Sequence, residues 1–209
     1  MLFNRHNFSI ASLCPKAEDR YIANGIHLTK DYTEVTNGHY LIRVNVPFNG
    51  ESKEKIEHYP SLEGKEIKTD FPLDQSVIVD SETAKDIEKA IPKHKTLDIL
   101  NHAIISTDSN DKETEFITYD LVRQKSIKSV NSGGRYPNTE AVLKPSEESN
   151  KTLIIGVNPE YLMKLGQQFK KMGCKNMKLE FQDKDHAIRI SAITDEQQDV
   201  IALLMPMKI

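Results

Sequence analysis

One order of signals recurs along this chain, and a recurrence of that kind restricts the available folds more than any single motif does. It is clearest from Thr152 onward. An apolar run, TLIIGV, leads to Asn158, an expected helix N-cap, with Pro159 at the first helical position. Tyr161, Leu162, Leu165, Phe169 and Met172 then recur at helical spacing, while Lys164, Gln168, Lys170 and Lys171 are polar and Gly173 is placed to stop the helix. The reading is an amphipathic helix of about 14 residues. Beyond it NMKLEFQ alternates Met177, Leu179 and Phe181 against Lys178 and Glu180, followed by AIRISAI, a TDEQQ turn and VIALLM. The segment reads strand, helix, three strands.

The same order occurs one unit earlier. VIVD at Val77 to Asp80 precedes Ser81 as a cap, and Ala84, Ile87, Ala90 and Ile91 share one helix face that Pro92 ends. HAIIST, EFITYD and RQKSIKSV are its strands, the first two joined across SNDK, with a GGRYP turn after the third. Upstream, GIHLT and HYLIRVNV read as strands of a third copy behind a short helix around Asn7 to Leu13. Glu51 to Asp70 and Pro145 to Lys151 are charged, contain proline and lack periodicity, so they read as connectors. The fold class is therefore α+β, built from three strand-helix-three-strand modules with antiparallel sheets on one face and helices on the other. The modules are expected at about 1–70, 75–146 and 147–209.

With 209 residues the chain buries enough surface to need no disulfide staple. A net charge of −3, from 28 Lys+Arg against 31 Asp+Glu, lacks the basic excess of bulk electrostatic nucleic-acid binding, so any such contact needs a local patch. Cys14 and Cys174 stand far apart with no metal-like spacing and read as reduced thiols of a cytoplasmic protein. No stretch approaches the roughly 18 apolar residues of a membrane span. Enzyme motifs are missing as well: there is no metal-ligand spacing, no G-x-S-x-G and no phosphate-binding glycine loop. The expectation is a protein that is not an enzyme and carries no cofactor. A catalytic constellation assembled only in three dimensions would show as convergent titratable groups rather than an apolar pocket.

The last residues, LLMPMKI, have two readings. One is a final strand whose alternate residues close a core. The other is a peptide-accepting surface, because Met205, Pro206 and Met207 form a soft set that re-packs around different apolar partners. Asn37-Gly38 by itself is a hairpin turn, His39 a satisfied histidine, and Gly133-Gly134 with Pro137 a turn signature.

Taken in order, RYIANG (Arg20 to Gly25), TNGHYL (Thr36 to Leu41), GRYPNT (Gly134 to Thr139) and MPMKI (Met205 to Ile209) resemble motifs of the bacterial DNA sliding clamp, the beta subunit of DNA polymerase III. By this resemblance residues 1–146 correspond to the clamp's middle domain and 147–209 to the second half of its last domain. An odd module count leaves one helix and one set of strand edges unpaired, which predicts a homo-oligomer. The resemblance implies a hydrophobic pocket for the short peptide motifs of polymerases and repair proteins, formed by Ala23, Thr36, Gly38, His39, Tyr40, Leu41, Pro137, Ala141, Val142, Leu203, Leu204, Met205, Pro206 and Met207. Asn37, Tyr40, Thr139 and Glu140 depart from the family's residues at their positions, and Tyr40 is expected to fill or wall part of the groove.

The resemblance also implies a DNA-facing helix surface. Lys85, Lys89, Lys93 and Lys95 lie on or after the second helix, and Lys164, Lys170, Lys171 and Lys175 on or after the third. There they would touch phosphates of double-stranded DNA without reading bases. Glu82, Asp86, Glu88 and Glu160 dilute that charge, and a solvated helix face is the competing reading. Two functions follow: a processivity factor that tethers replication or repair proteins to DNA, or a non-encircling binding module that captures clamp-binding motifs as a decoy or regulator.

Overall fold

Asn4 and Asp80 fix where the first two helices begin, because each offers a side-chain oxygen to amide groups that the first helical turn leaves without partners. In this computed structural model, which describes residues 2–15, 25–47, 76–95, 98–107, 113–120, 123–130, 136–143 and 155–207, strand β1 (Leu2–Asn4) runs into helix α1 (Arg5–Ser9) and a 3-10 turn (Ile10–Leu13). Three strands follow: β2 (Gly25–Leu28), β3 (Tyr32–Thr36) and β4 (Tyr40–Asn45). The second module opens with β5 (Val77–Asp80) and α2 (Ser81–Ala90) and continues as β6 (His102–Thr107), β7 (Glu113–Asp120) and β8 (Arg123–Val130). The third holds α3 (Pro159–Lys171), β9 (Lys178–Glu180), β10 (Ile188–Ile193) and β11 (Asp199–Leu204). The fold is α+β with antiparallel sheets, as the sequence predicts.

Two elements escaped the sequence reading, the short opening strand β1 and the strand β3, whose YTEVT carries a charged residue at its centre. One cap differs as well. Asp80, rather than Ser81, accepts from the Glu82 and Thr83 amides, so α2 starts one residue earlier than expected. Asn158 caps α3 with Pro159 in its first turn, and Gly173 ends it with φ +70, where an added Cβ would meet the Asp195 carboxyl at 2.6 Å. The two connectors, the TLI residues at 152–154 and the GG of GGRYP lie outside the described residues.

Modules 1 and 2 exchange their opening strands. β1 pairs with β6 of module 2, and β5 pairs with β2 of module 1, both antiparallel. The helices α1 and α2 pack together between the sheets, and Phe8 of α1 meets Phe116 of β7 edge-on at 5.8 Å. Module 3 joins differently: β11 pairs with β4 from Val200↔Val44 to Leu204↔Tyr40, which makes one seven-stranded sheet in the order β5-β2-β3-β4-β11-β10-β9. One row of that sheet, Val35, Ile42, Ala202 and Ile190, is buried across four strands. The apolar face of α3, Leu165, Phe169 and Met172, closes over the same core.

A buried amide cluster ties modules 1 and 3 together behind this ladder. The Gln198 side chain accepts from Asn4 Nδ2 at 2.5 Å and donates to Asn7 Oδ1 at 3.2 Å and to the Asn45 carbonyl at 2.7 Å. Asn4 and Asn7 also form the capping box of α1, so the helix start and the β10–β11 turn share one network. Gln198→Ala strips partners from two fully buried asparagines and should lower unfolding free energy by about 1–3 kcal/mol in urea titrations.

Candidate functional site

A groove on the outer face of the seven-stranded sheet gathers most of the residues that the sequence motifs pick out. Its floor is a row of cross-strand neighbours, Thr36, Leu41 and Leu203, from β3, β4 and β11. The β3–β4 hairpin, Asn37 to Tyr40, forms one wall and the segment Pro137, Asn138, Thr139 and Val142 the other, with Met205 at the open end. The cavity is about 400 Å³ and its lining is mainly apolar, in the size range of ligand pockets.

The hairpin is set by local bonds. Asn37 Oδ1 accepts from the His39 amide at 3.0 Å and the Tyr40 amide at 2.9 Å, and Gly38 takes φ +84, which a Cβ would oppose. Thr36 Oγ1 donates to the Tyr40 carbonyl at 2.8 Å, and the Met205 amide donates to the His39 carbonyl at 2.9 Å, carrying the chain past the hairpin tip. Helix α3 supports the tip through Tyr161, which stacks on His39 at 5.6 Å and meets Tyr40 edge-on at 5.4 Å. Tyr40 walls the groove while its ring is buried, and its hydroxyl donates to the Leu13 carbonyl at 2.7 Å. Burial pushes its phenol up to about 12.

The opposite wall hangs on a buried carboxylate. Glu34 of β3 is fully buried and takes Arg43 Nε at 3.0 Å and Nη2 at 2.8 Å, His27 Nδ1 lies at 2.9 Å, and the Thr139 hydroxyl donates to it at 3.0 Å. Thr139 in turn accepts from Arg43 at 3.0 Å. Glu140 reaches the other end of Arg43 at 2.7 Å and accepts from the Tyr32 hydroxyl at 3.1 Å, and the Arg43 hydrogen bond holds its carboxyl below the usual range. The guanidinium lies 3.5 Å over the Tyr32 ring, and His27 stacks on Tyr136 at 4.2 Å. These titratable groups bond one another, which anchors the residue 136–140 segment across the sheet.

Of the expected pocket residues, Thr36, Gly38, His39, Tyr40, Leu41, Pro137, Val142, Leu203 and Met205 meet in the groove. Leu204 alternates to the other side of β11 and is buried in the core, while Ala141, Pro206 and Met207 lie beside the groove without lining it. Ala23 lies outside the described residues. Asn37, Asn138 and Thr139 line the groove in addition; each stands inside a quoted motif, so the signal was adjacency. β11 closes the core with Ala202 and Leu204, as a final strand would, and Met205 and Met207 stay exposed at its end.

The two helices meet where Lys171 of α3 pairs with Glu88 of α2 at 2.8 Å. Lys89 pairs with Asp86 at 3.1 Å and Lys164 with Glu160 at 2.7 Å. Lys85, Lys93, Lys95, Lys170 and Lys175 make no ion pair among the described residues. No helix among those residues is long and apolar enough to cross a membrane.

No protein-family model and no curated protein matches the chain. Solved structures do. The DnaN sliding clamp of Pseudomonas aeruginosa bound to griselimycin aligns with a TM-score of 0.66 at 13% identity, over 100% of this chain and 65% of that one. The corresponding clamp of Bartonella birtlesii gives 0.62 at 14% identity, over 98% and 64%. The DNA polymerase III beta subunit of Thermotoga maritima gives 0.60 at 10% identity, over 100% and 65%. The chain thus has the fold of the bacterial beta sliding clamps and spans slightly under two thirds of their length.

Thr139→Val keeps the shape of the side chain and removes the hydroxyl shared by Glu34 and Arg43. It should cost about 1–3 kcal/mol and speed hydrogen exchange at the Val142 amide, which donates to the Thr139 carbonyl at 3.2 Å. Unchanged exchange there would show that the cluster does not hold the groove wall.

Proposed function

We propose that this chain is a sliding-clamp-like processivity factor that holds replication or repair proteins at DNA by capturing their short apolar peptide motifs in the outer groove. The observation that carries the reading is the groove itself, an apolar cavity assembled from the three motifs that the sequence shares with the clamp family and that the described residues include. Its floor and the exposed Met205 offer burial to leucine and phenylalanine side chains, and the Asn37 and Asn138 groups at its edge offer hydrogen bonds to a glutamine. The protein performs no chemistry in this role and needs no cofactor. Residues 1–146 act as the equivalent of a middle clamp domain and 147–209 as half of a last domain, in a cytoplasmic homo-oligomer.

A peptide containing glutamine followed by leucine and phenylalanine should bind, and Val142→Asp, which places a charge on an exposed wall residue, should weaken it by tenfold or more, about 1.4 kcal/mol. Fluorescence anisotropy reads the loss, and equal affinity of the two proteins would remove the groove from the function.

The helix lysines supply the DNA contact in this reading. Lys85 and Lys170, free of ion pairs among the described residues, should matter more than Lys89 or Lys171, which acidic neighbours already hold. Lys85→Glu with Lys170→Glu should weaken duplex binding and flatten its dependence on salt. The partial neutralisation of this face favours the second reading, a module that captures clamp-binding peptides away from DNA. Peptide binding without duplex binding at low salt would select it.

A further inference from the structure

Floor and wall of the outer groove run the same way across the sheet, and both arrive at Arg189. The floor row of Thr36, Leu41 and Leu203 continues on β10 as Arg189, the cross-strand neighbour of Leu203, and on β9 as Glu180. The wall segment starts at Tyr136, stacked on His27 of β2, bonds Arg43 of β4 through Thr139, and reaches Leu143, whose carbonyl accepts from Arg189 Nη1. An apolar floor therefore ends on a guanidinium. Alternation alone makes Arg189 a solvated strand residue, yet its side chain is only 20% exposed.

The guanidinium is underused. Arginine presents a planar fork of N–H donors, and little here accepts from them. Nη1 donates to the Leu143 carbonyl at 3.4 Å, the long limit of a hydrogen bond. Nε is closed off from solvent with no hydrogen-bond partner, and Nη2 has none among the described residues. Glu180 Oε2 stands 3.6 Å from Nε, while its other oxygen accepts from Lys178 at 2.9 Å. Two cations thus share one anion at this end of the groove, a local positive excess in a chain whose net charge is −3. A half-buried guanidinium short of acceptors is costly, and a carboxylate is the group whose paired oxygens match its fork.

We propose that Arg189 selects, among the peptides that the groove accepts, those carrying an aspartate or glutamate beside their apolar anchors. The inference rests on the groove reading above and adds the partner's charge to it. Leu203 and Arg189 are one strand spacing apart, about 4.8 Å, which an extended peptide covers in roughly one or two residues. With an anchor over Leu41 and Leu203, the acidic side chain reaches the fork and supplies the acceptor that Leu143 and Glu180 leave wanting. A lysine at the same place meets Arg189 and Lys178 and is turned away. The floor sets how strongly a peptide binds, and the guanidinium sets which peptide it is.

The test uses the full chain and peptides with amidated C-termini, so that a single aspartate is the only carboxylate. Peptides built on glutamine, leucine and phenylalanine carry that aspartate at successive positions beside the phenylalanine, each matched by an asparagine counterpart, and fluorescence anisotropy reads their affinities. At one position aspartate should bind about tenfold tighter than asparagine. Arg189→Gln should erase that advantage and leave the asparagine peptides unchanged, which also shows that the variant is folded. Arg189→Glu should reverse the preference, favouring lysine over aspartate at the same position. Equal affinity for aspartate and asparagine at every position, or an advantage that survives in Arg189→Gln, would overturn the proposal and leave the groove in place. If no peptide of either kind binds, the groove reading falls and this one falls with it.

Discussion

The pairing of β4 with β11 is the constraint on which the rest of the molecule depends. It joins strands from opposite ends of the chain, extends a four-stranded sheet to seven, and sets Leu203 beside Leu41 as the floor of the groove. The same ladder fixes both faces. Ala202 and Leu204 enter the core that α3 covers, and Leu203 lies on the outer side next to the hairpin. A slip of one residue would exchange the two sets and bury the wrong one. The Gln198 cluster behind the strand guards against that slip, because its amides find partners only in this register.

The second organising feature is the charge buried at Glu34. A carboxylate without solvent is costly unless every lone pair is used, and here Arg43, His27 and Thr139 use them. The arrangement gives Thr139 and Glu140 a common structural role. Thr139 and Glu140 bond the two charged residues of β3 and β4, so these positions serve the wall of the groove rather than its lining alone. The titratable groups that converge on Glu34 are in mutual contact, and together they fasten one loop segment to the sheet.

Much of this was legible in the sequence where a local rule acts alone. Asn158-Pro159 and Gly173 bound α3, RQKSIKSV coincides with β8, and Asn37-Gly38 forms the hairpin, because caps, alternation and positive φ are local requirements. The strand β3 was not, since Glu34 in its centre looks solvated until Arg43 and Thr139 are known to surround it. Nor was β1, which is too short for a period and owes its conformation to β6. The motifs located the groove, but the orientation of Leu204 needed the register of β11. Leu162, Met177, Leu179 and Phe181 carry apolar patterns without finding cover among the described residues, and that mismatch of pattern and burial required coordinates.

The span of the β4–β11 ladder also has a consequence in time. Tyr40 and Leu204 meet across most of the chain, a long-range closure that slows folding more than it weakens the folded state. The groove has no floor until Leu203 reaches Leu41, although its hairpin belongs to the first module. On the ribosome, a nascent chain exposes the Asn37-Gly38 tip early, while the groove stays incomplete until β11 emerges. Synthesis order thus makes the groove one of the last features of the fold to be completed.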